Sequence, residues 1–401
     1  MRLKIDYNIT ILVSALLAIG LVAVYSATSS GSGENAYFQR QLIYSVTGFL
    51  IMVSMPYLSY RFLERISYVL YAFSVLLLIL VAFIGVKGFG AERWLAVGPI
   101  KIQPSEFAKI TTVMAVARYL SDRDVNVNRL KGFLIVTLLI LTPFLLIIKQ
   151  PDLGTSLVFL ALYLPLLFWA GLNGFALFLI ISPLITVLLS FNIWALVVWL
   201  ILISGFLYFS RKKWLILLAI VSVHIGIGFA TPYMWDQLHD YQKNRIETFL
   251  NPEHDPRGAG YQIIQSQVAI GSGGVWGKGF LNGTQTHLKF LPAQHTDFIF
   301  SVIAEEWGLV GVTVVLLLFL ALLIYLISLA SVVKARYASI TLIGVAAILF
   351  FHIFVNIGMT VGVAPVTGLP LPLISYGGSF MLSTMLMLGI VQNLSHNRYQ
   401  M

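Results

Sequence analysis

The sequence predicts an all-α polytopic membrane protein, a helical bundle of about 10–12 transmembrane helices with one large extracytoplasmic loop. Three observations carry this. Of 401 residues, 59% are hydrophobic and 10% charged, with a mean hydropathy of +0.90, whereas soluble domains hold about 45–50% apolar and about 25% charged residues. The apolar residues form long runs broken by polar or Gly/Pro punctuation. The basic residues between those runs favour alternate loops, as in a chain threaded through a bilayer.

Taken in order, the runs give spans at 8–27, 39–57, 67–86, 105–120, 132–148, 154–170, 173–190, 192–210, 212–230, 298–333, 338–361 and 374–394. Asn8–Tyr25 is long enough to cross and shows no A-x-A cleavage site, so it reads as a retained first helix. With a cytoplasmic N-terminus, fourteen of the 25 Lys and Arg fall on the inner side and six on the outer. The remaining five lie in the long loop, where the rule has little force. Both termini are therefore expected inside, with the loop over 231–297 outside. The whole of 1–401 reads as one integral membrane domain.

With no cysteine, disulfides, zinc thiolates, iron–sulfur clusters and thiol catalysis are excluded. The net charge of +9 comes without a run of five like charges, so a nucleic-acid partner has no support; the charge sets topology and meets membrane lipid.

Charge collects at helix mouths on the outer side. Arg93, Lys101, Lys109 and Lys149 lie there against the positive-inside tendency, either as snorkelling anchors or as holders of an anion. Glu106 and Lys109 are spaced i, i+3, on one face of a starting helix. Lys149-Gln150-Pro151-Asp152 is a polar hinge in which Lys149 suits a helix C-terminus and Asp152 an N-terminus. In the loop, Gly271-Ser272-Gly273-Gly274 and Asn282-Gly283-Thr284-Gln285 either build tight turns or offer N–H groups to a sugar or phosphate. His295-Thr296-Asp297 marks the return to the membrane. Thr296 and Asp297 suit a helix N-terminus, and Asp297 equally suits a general base at a polar cavity. Glu305 and Glu306 follow about 12–13 Å deeper and point different ways, so at least one meets a partner. The Pro/Gly-broken run 367–379 is tolerated at membrane depth only when it lines a cavity or is buried. His224 and His352, in apolar runs without acidic neighbours, read as core residues.

Nine segments, in order, resemble the SEDS family of membrane glycosyltransferases. They are Arg93-Trp94, QPSE-x-x-K at 103–109, KQPDLGTS at 149–156, NPEHDPRGAGYQ at 251–262, QSQVAIGSGG at 265–274, GKGFLNGTQ at 277–285, HTDFIF at 295–300, AEEWG at 304–308 and GLPLPLISYGGS at 368–379. NPE and NGTQ look more like the elongation branch than the division branch. The chain departs from the family twice. Its two surplus spans imply an extra hairpin over 173–210, and Ala293 stands where the family often has Glu.

The resemblance implies a SEDS-like bundle that polymerises lipid II at the outer face of the bacterial cytoplasmic (inner) membrane. Asp297 would be the catalytic carboxylate. Arg93, Lys109, Lys149 and Arg245 would face the pyrophosphate of the leaving group, with Glu106 orienting Lys109. Trp94, Asp152, His295, Thr296, Glu306, Ser375, Gly377 and Gly378 would line the substrate cavity. A divalent cation, magnesium or manganese, is the alternative source of positive charge, and no organic cofactor is implied. The implied partners are a class B penicillin-binding protein (a transpeptidase) and other elongation-machinery proteins. Two rivals share the sequence features: a flippase for the same lipid-linked precursor, and a non-catalytic scaffold.

Overall fold

The computed structural model describes residues 5–29, 35–88, 91–97, 100–210, 214–237, 243, 247–249, 251, 258–287, 290–291 and 293–397. Apolar runs become helices because a backbone in hydrocarbon must satisfy its own hydrogen bonds. The long helices follow the expected spans: α1 Tyr7–Thr28, α2 Asn35–Ser54, α3 Tyr60–Ile84, α4 Pro104–Ser121, α5 Leu130–Ile148, α6 Leu153–Trp169, α7 Gly174–Leu189, α8 Ile193–Phe209 and α9 Trp214–Asp236. After α10 Ala259–Gly273 and the one-turn α11 Thr284–His287, the chain returns through α12 Ile299–Val332, α13 Arg336–Val361 and α14 Gly378–His396. Among the described residues, six helices are long and apolar enough to cross a membrane, and α6, α7 and α8 are shorter apolar helices.

Two features depart from the expectation. The all-α reading omits a three-stranded antiparallel sheet, β1 Val86–Gly88, β2 Ala91–Val97 and β3 Ile100–Ile102, in which Trp94 pairs with Val86 and Leu95 with Ile102. Strands of three to seven residues leave almost no hydropathy signal beside spans of twenty. Second, packing divides 1–401 into two compact units, 1–171 with 251–401, and 172–250. Uniformly apolar composition marks no boundary between them. In the second unit, α9 packs on α7 and α8. The Ser182 hydroxyl donates to His224 Nε2 (3.0 Å), His224 Nδ1 donates to the Ile220 carbonyl (2.8 Å), and Trp199 Nε1 donates to Thr186 (3.0 Å). His224 is thus a satisfied interior residue.

In the larger unit the helix ends fix a direction. Asp6 caps α1 through the amides of Asn8 and Ile9 and also accepts from Tyr325 of α12 (2.6 Å) and Ser395 of α14. At the other end of α1, Gln294 donates to the Ala27 carbonyl (2.8 Å) and Ser26 to Glu306. These ends lie about 30 Å apart at 1.5 Å per residue. Asp6 and Ser395 are therefore at one end of α1, and the turn carrying Asp297 is at the other.

The 34-residue α12 is broken at Gly308, whose φ of +62° and ψ of −160° are not helical. The break frees main-chain groups that the preceding loop satisfies. Lys278 and Gly279 N–H donate to the carbonyls of Glu305 and Glu306 (3.0 and 2.9 Å), and Leu309 and Val310 N–H donate to those of Gly274 and Val275 (3.0 and 3.2 Å). A Cβ on Gly308 would lie 2.3 Å from the Gly277 nitrogen, and one on Gly277 2.1 Å from the Glu306 oxygen. Neither position admits another residue without displacing backbone.

Candidate active site

Asp297 lies in the turn 293–298, which begins at Ala293 (φ +54°). The Ala293 carbonyl accepts from Thr296 N–H (3.0 Å) and the Thr296 hydroxyl (3.1 Å). Thr296 therefore does not cap α12. Asp297 lies ahead of the N-cap residue Phe298, outside the first helical turn. The helix-capping explanation of this pair does not hold.

The turn is gripped by α13 and by the run before α14. Three consecutive carbonyls each accept a hydrogen bond: His295 from Tyr376 N–H (2.9 Å), Thr296 from the Ser375 hydroxyl (2.6 Å) and Asp297 from Asn356 Nδ2 (2.8 Å). Asn356 also donates to the Leu369 carbonyl (2.7 Å), and Ser375 Oγ accepts from Leu371 N–H (2.8 Å). Within the broken run, 371–375 are buried framework, and Ser375 and Tyr376 hold the backbone of the turn that carries Asp297. The carboxylate packs beside Gly368, where an added Cβ would lie 3.4 Å from Oδ2. Burial pushes the Asp297 carboxyl up to about 6, against a smaller lowering by the Thr296 hydroxyl. A base near neutrality that keeps its proton affinity is suited to general-base catalysis.

One turn earlier on α13, His352 donates from Nδ1 to the Pro370 carbonyl (3.2 Å). Its Nε2 therefore carries the lone pair and accepts from the Lys109 ammonium at 3.0 Å. Lys109 also meets Glu106 at 2.8 Å and lies over the Phe380 ring at 5.3 Å. Ser383 donates to Glu106 (3.3 Å). Lys109 is 0% exposed, so the ammonium expected at the leaving group presents no surface to a ligand here. It braces α4 against α13 and α14. His352, expected as plain core, is its acceptor.

Arg93, on β2, donates to the Gln150 and Pro151 carbonyls and lies 3.7 Å from Asp152. Asp152 caps α6 through Thr155 N–H (3.2 Å) and accepts from Gln103 (3.3 Å). These residues form one cluster in which Arg93 keeps part of its guanidinium accessible. Lys149 is exposed at the end of α5, and Trp94 is half-buried on β2. Gly377 donates its N–H to Gln41 (3.2 Å), and Gly378 packs on Tyr44. Arg245 and positions 252–257 lie outside the described residues.

The two adjacent glutamates both find partners. Glu306 accepts from Ser26. Glu305 accepts from Lys278 Nζ (2.7 Å), the Thr284 hydroxyl (3.1 Å), Gln285 N–H (3.0 Å), Thr286 N–H (3.3 Å) and the Thr286 hydroxyl (3.0 Å). The glycine-rich loop is thereby folded onto α12 around Glu305, which favours turn building over ligand cradling for 273–286. Among the described residues, no group of three His, Cys, Asp or Glu is placed to hold a metal ion. Among the described residues, no second carboxylate accompanies Asp297, and Glu106, Asp152, Glu305 and Glu306 are bound to protein partners.

Fold and hydropathy define a multi-pass membrane protein. The chain belongs to the FtsW/RodA/SpoVE family of cell cycle proteins, the SEDS family, whose profile matches residues 7–199 and 175–400. Peptidoglycan glycosyltransferase MrdB of Escherichia coli (strain K12) is 37% identical over 399 residues, 99% of this chain and 95% of its own. Peptidoglycan glycosyltransferase RodA of Treponema pallidum is 36% identical, covering 97% of each. Among solved structures, a chain from work on structural coordination of polymerization and crosslinking by a peptidoglycan synthase complex superposes with a TM-score of 0.76 at 34% identity over the full length of both. Rod shape determining protein RodA of Thermus thermophilus gives 0.66 at 29% identity, covering 99% and 98%.

Proposed function

We infer that this chain is a peptidoglycan glycosyltransferase that polymerises lipid II during cell elongation. Relatives at 36–37% identity over nearly the whole chain are named peptidoglycan glycosyltransferases. The observation that carries the mechanism is Asp297: its backbone is fixed by three carbonyl contacts and its carboxyl is raised to about 6. At pH 7 the carboxylate is ionised roughly ten to one, ready to accept a proton. It takes that proton from the 4-hydroxyl of the acceptor sugar. The freed oxygen attacks the donor's anomeric carbon from the face opposite the leaving group, the bond to pyrophosphate breaks with inversion, and undecaprenyl pyrophosphate departs with the electron pair. Arg93 and Lys149, at the same helix mouths, offset the charge that develops there. Lys109 and Glu106 act through the position of α4, because their charges are enclosed.

The protein works in the bacterial cytoplasmic membrane with both termini inside and Asp297 facing outward. The excess of basic residues at the terminal side and the position of Asp297 at the opposite end of α1 support this orientation. A class B penicillin-binding protein is the expected partner, in keeping with the superposition on a chain from a synthase complex. Purified protein, alone and with that partner, is to be supplied with labelled lipid II, and the products resolved on a glycan-length gel. A ladder from native protein that Asp297→Asn cannot make supports the assignment. A ladder from the variant overturns the role of Asp297. No polymer from native protein, with lipid II moved across vesicles instead, favours the flippase.

A further inference from the structure

The rings of Tyr37, His295 and Tyr376 converge from three separate parts of the chain: α2, the turn before α12, and the run before α14. Their centroids lie 5.1 Å (Tyr37–His295), 5.4 Å (Tyr37–Tyr376) and 5.6 Å (His295–Tyr376) apart. The interplanar angles of 42°, 84° and 63° make these tilted and edge-to-face contacts rather than a closed stack. Tyr37 is 42% exposed, and His295 and Tyr376 are half-buried. Arg40, exposed one turn along α2 from Tyr37, places a positive charge beside the Tyr376 side chain. The group is therefore a partly exposed aromatic cluster with a cation at its edge.

Its place relative to the base is fixed. His295 lies two residues before Asp297, and its carbonyl accepts from Tyr376 N–H at 2.9 Å. Two of the three residues thus belong to the clamp that holds the turn carrying Asp297. Aromatic faces are electronegative and stack against the C–H faces of pyranose rings. A guanidinium alongside suits carboxylates carried on the sugars. A polymerising enzyme that stays with its product needs such a surface beside its base, because the end just made becomes a reactant again.

We propose that Tyr37, His295, Tyr376 and Arg40 form a sugar-binding platform that holds the growing glycan strand next to Asp297. This rests on the polymerase reading above. The alternative for Tyr37 is a ring at the membrane interface with no ligand. Full-length native protein, Tyr37→Ala, Tyr37→Phe and Asp297→Asn are compared with labelled lipid II, with strand length as the readout. One stacked ring contributes an interaction whose loss corresponds to about fivefold in dwell of the strand. Tyr37→Ala is expected to shorten strands about fivefold, whereas Tyr37→Phe, which keeps the ring face, retains native lengths. A soluble peptidoglycan oligosaccharide added in excess is expected to shorten native strands and to leave those of Tyr37→Ala unchanged. Native lengths from Tyr37→Ala, or strands from Tyr37→Phe as short as those from Tyr37→Ala, would overturn the platform. A native ladder that Asp297→Asn lacks keeps the polymerase reading standing in that event, so the two failures are distinguishable.

Discussion

Asp297 and Glu305 are eight residues apart, on either side of the start of α12, and are held in opposite ways. At Glu305 the side chain is the anchor: its carboxylate gathers five donors from 278–286, and the loop folds around it. At Asp297 the backbone is the anchored part: the carbonyls of 295, 296 and 297 are each gripped by a donor from α13 or the run before α14, while the carboxylate is left to burial and one neighbouring hydroxyl. A carboxylate surrounded by donors has little affinity left for a proton. One whose main chain is fixed and whose oxygens are sparsely bonded keeps that affinity and stays in place. The difference distinguishes a structural acid from a working one better than burial does.

The largest effect that tests this contrast is Asp297→Asn, which is expected to lower the rate of lipid II polymerisation by roughly 10²–10⁴-fold, read as labelled glycan per unit time. Glu305→Ala is expected to act on stability instead. It leaves two amides and the partly exposed Lys278 ammonium without their acceptor, a loss of about 1–3 kcal/mol. Faster proteolytic cutting within 274–287 than in native protein is the measurement; equal cutting would end the claim that Glu305 folds the loop. Asn356→Leu removes both donors that fix the Asp297 and Leu369 carbonyls, and about tenfold in turnover is expected to go with them. A change in lipid II affinity alone would contradict that positioning role. The smallest effect is on pH dependence of stability. The Asp297 carboxyl is raised from 3.8 to about 6, so ionising it costs the folded state increasingly as pH rises through that window. Asp297→Asn is expected to gain in thermal midpoint over native protein at pH 7.5 and to show no gain below pH 4.

The helices were legible because spans of some twenty apolar residues are the strongest pattern a sequence carries, and Asp297 was legible through HTDFIF and its neighbouring segments. Residues 86–102 were not, since short strands pair through backbone atoms that composition does not record. Asn356 and His352 were missed for a different reason. Each is a single polar residue in an apolar helix, and their partners, Asp297 and Lys109, lie 59 and 243 positions away in sequence. The one available signal was their spacing of four, which puts both on one face of α13. Tyr37 and Arg40 carried no signal beyond being polar residues near a helix start.

The interruption at Gly308 ties an extramembrane loop into the main-chain ladder of a spanning helix. The amides of Lys278, Gly279, Leu309 and Val310 close each other's gaps, so neither segment can open while the other stays shut. Loop and helix break consequently form one cooperative folding unit, and hydrogen exchange at these four amides is expected to proceed at a common rate set by a single opening event.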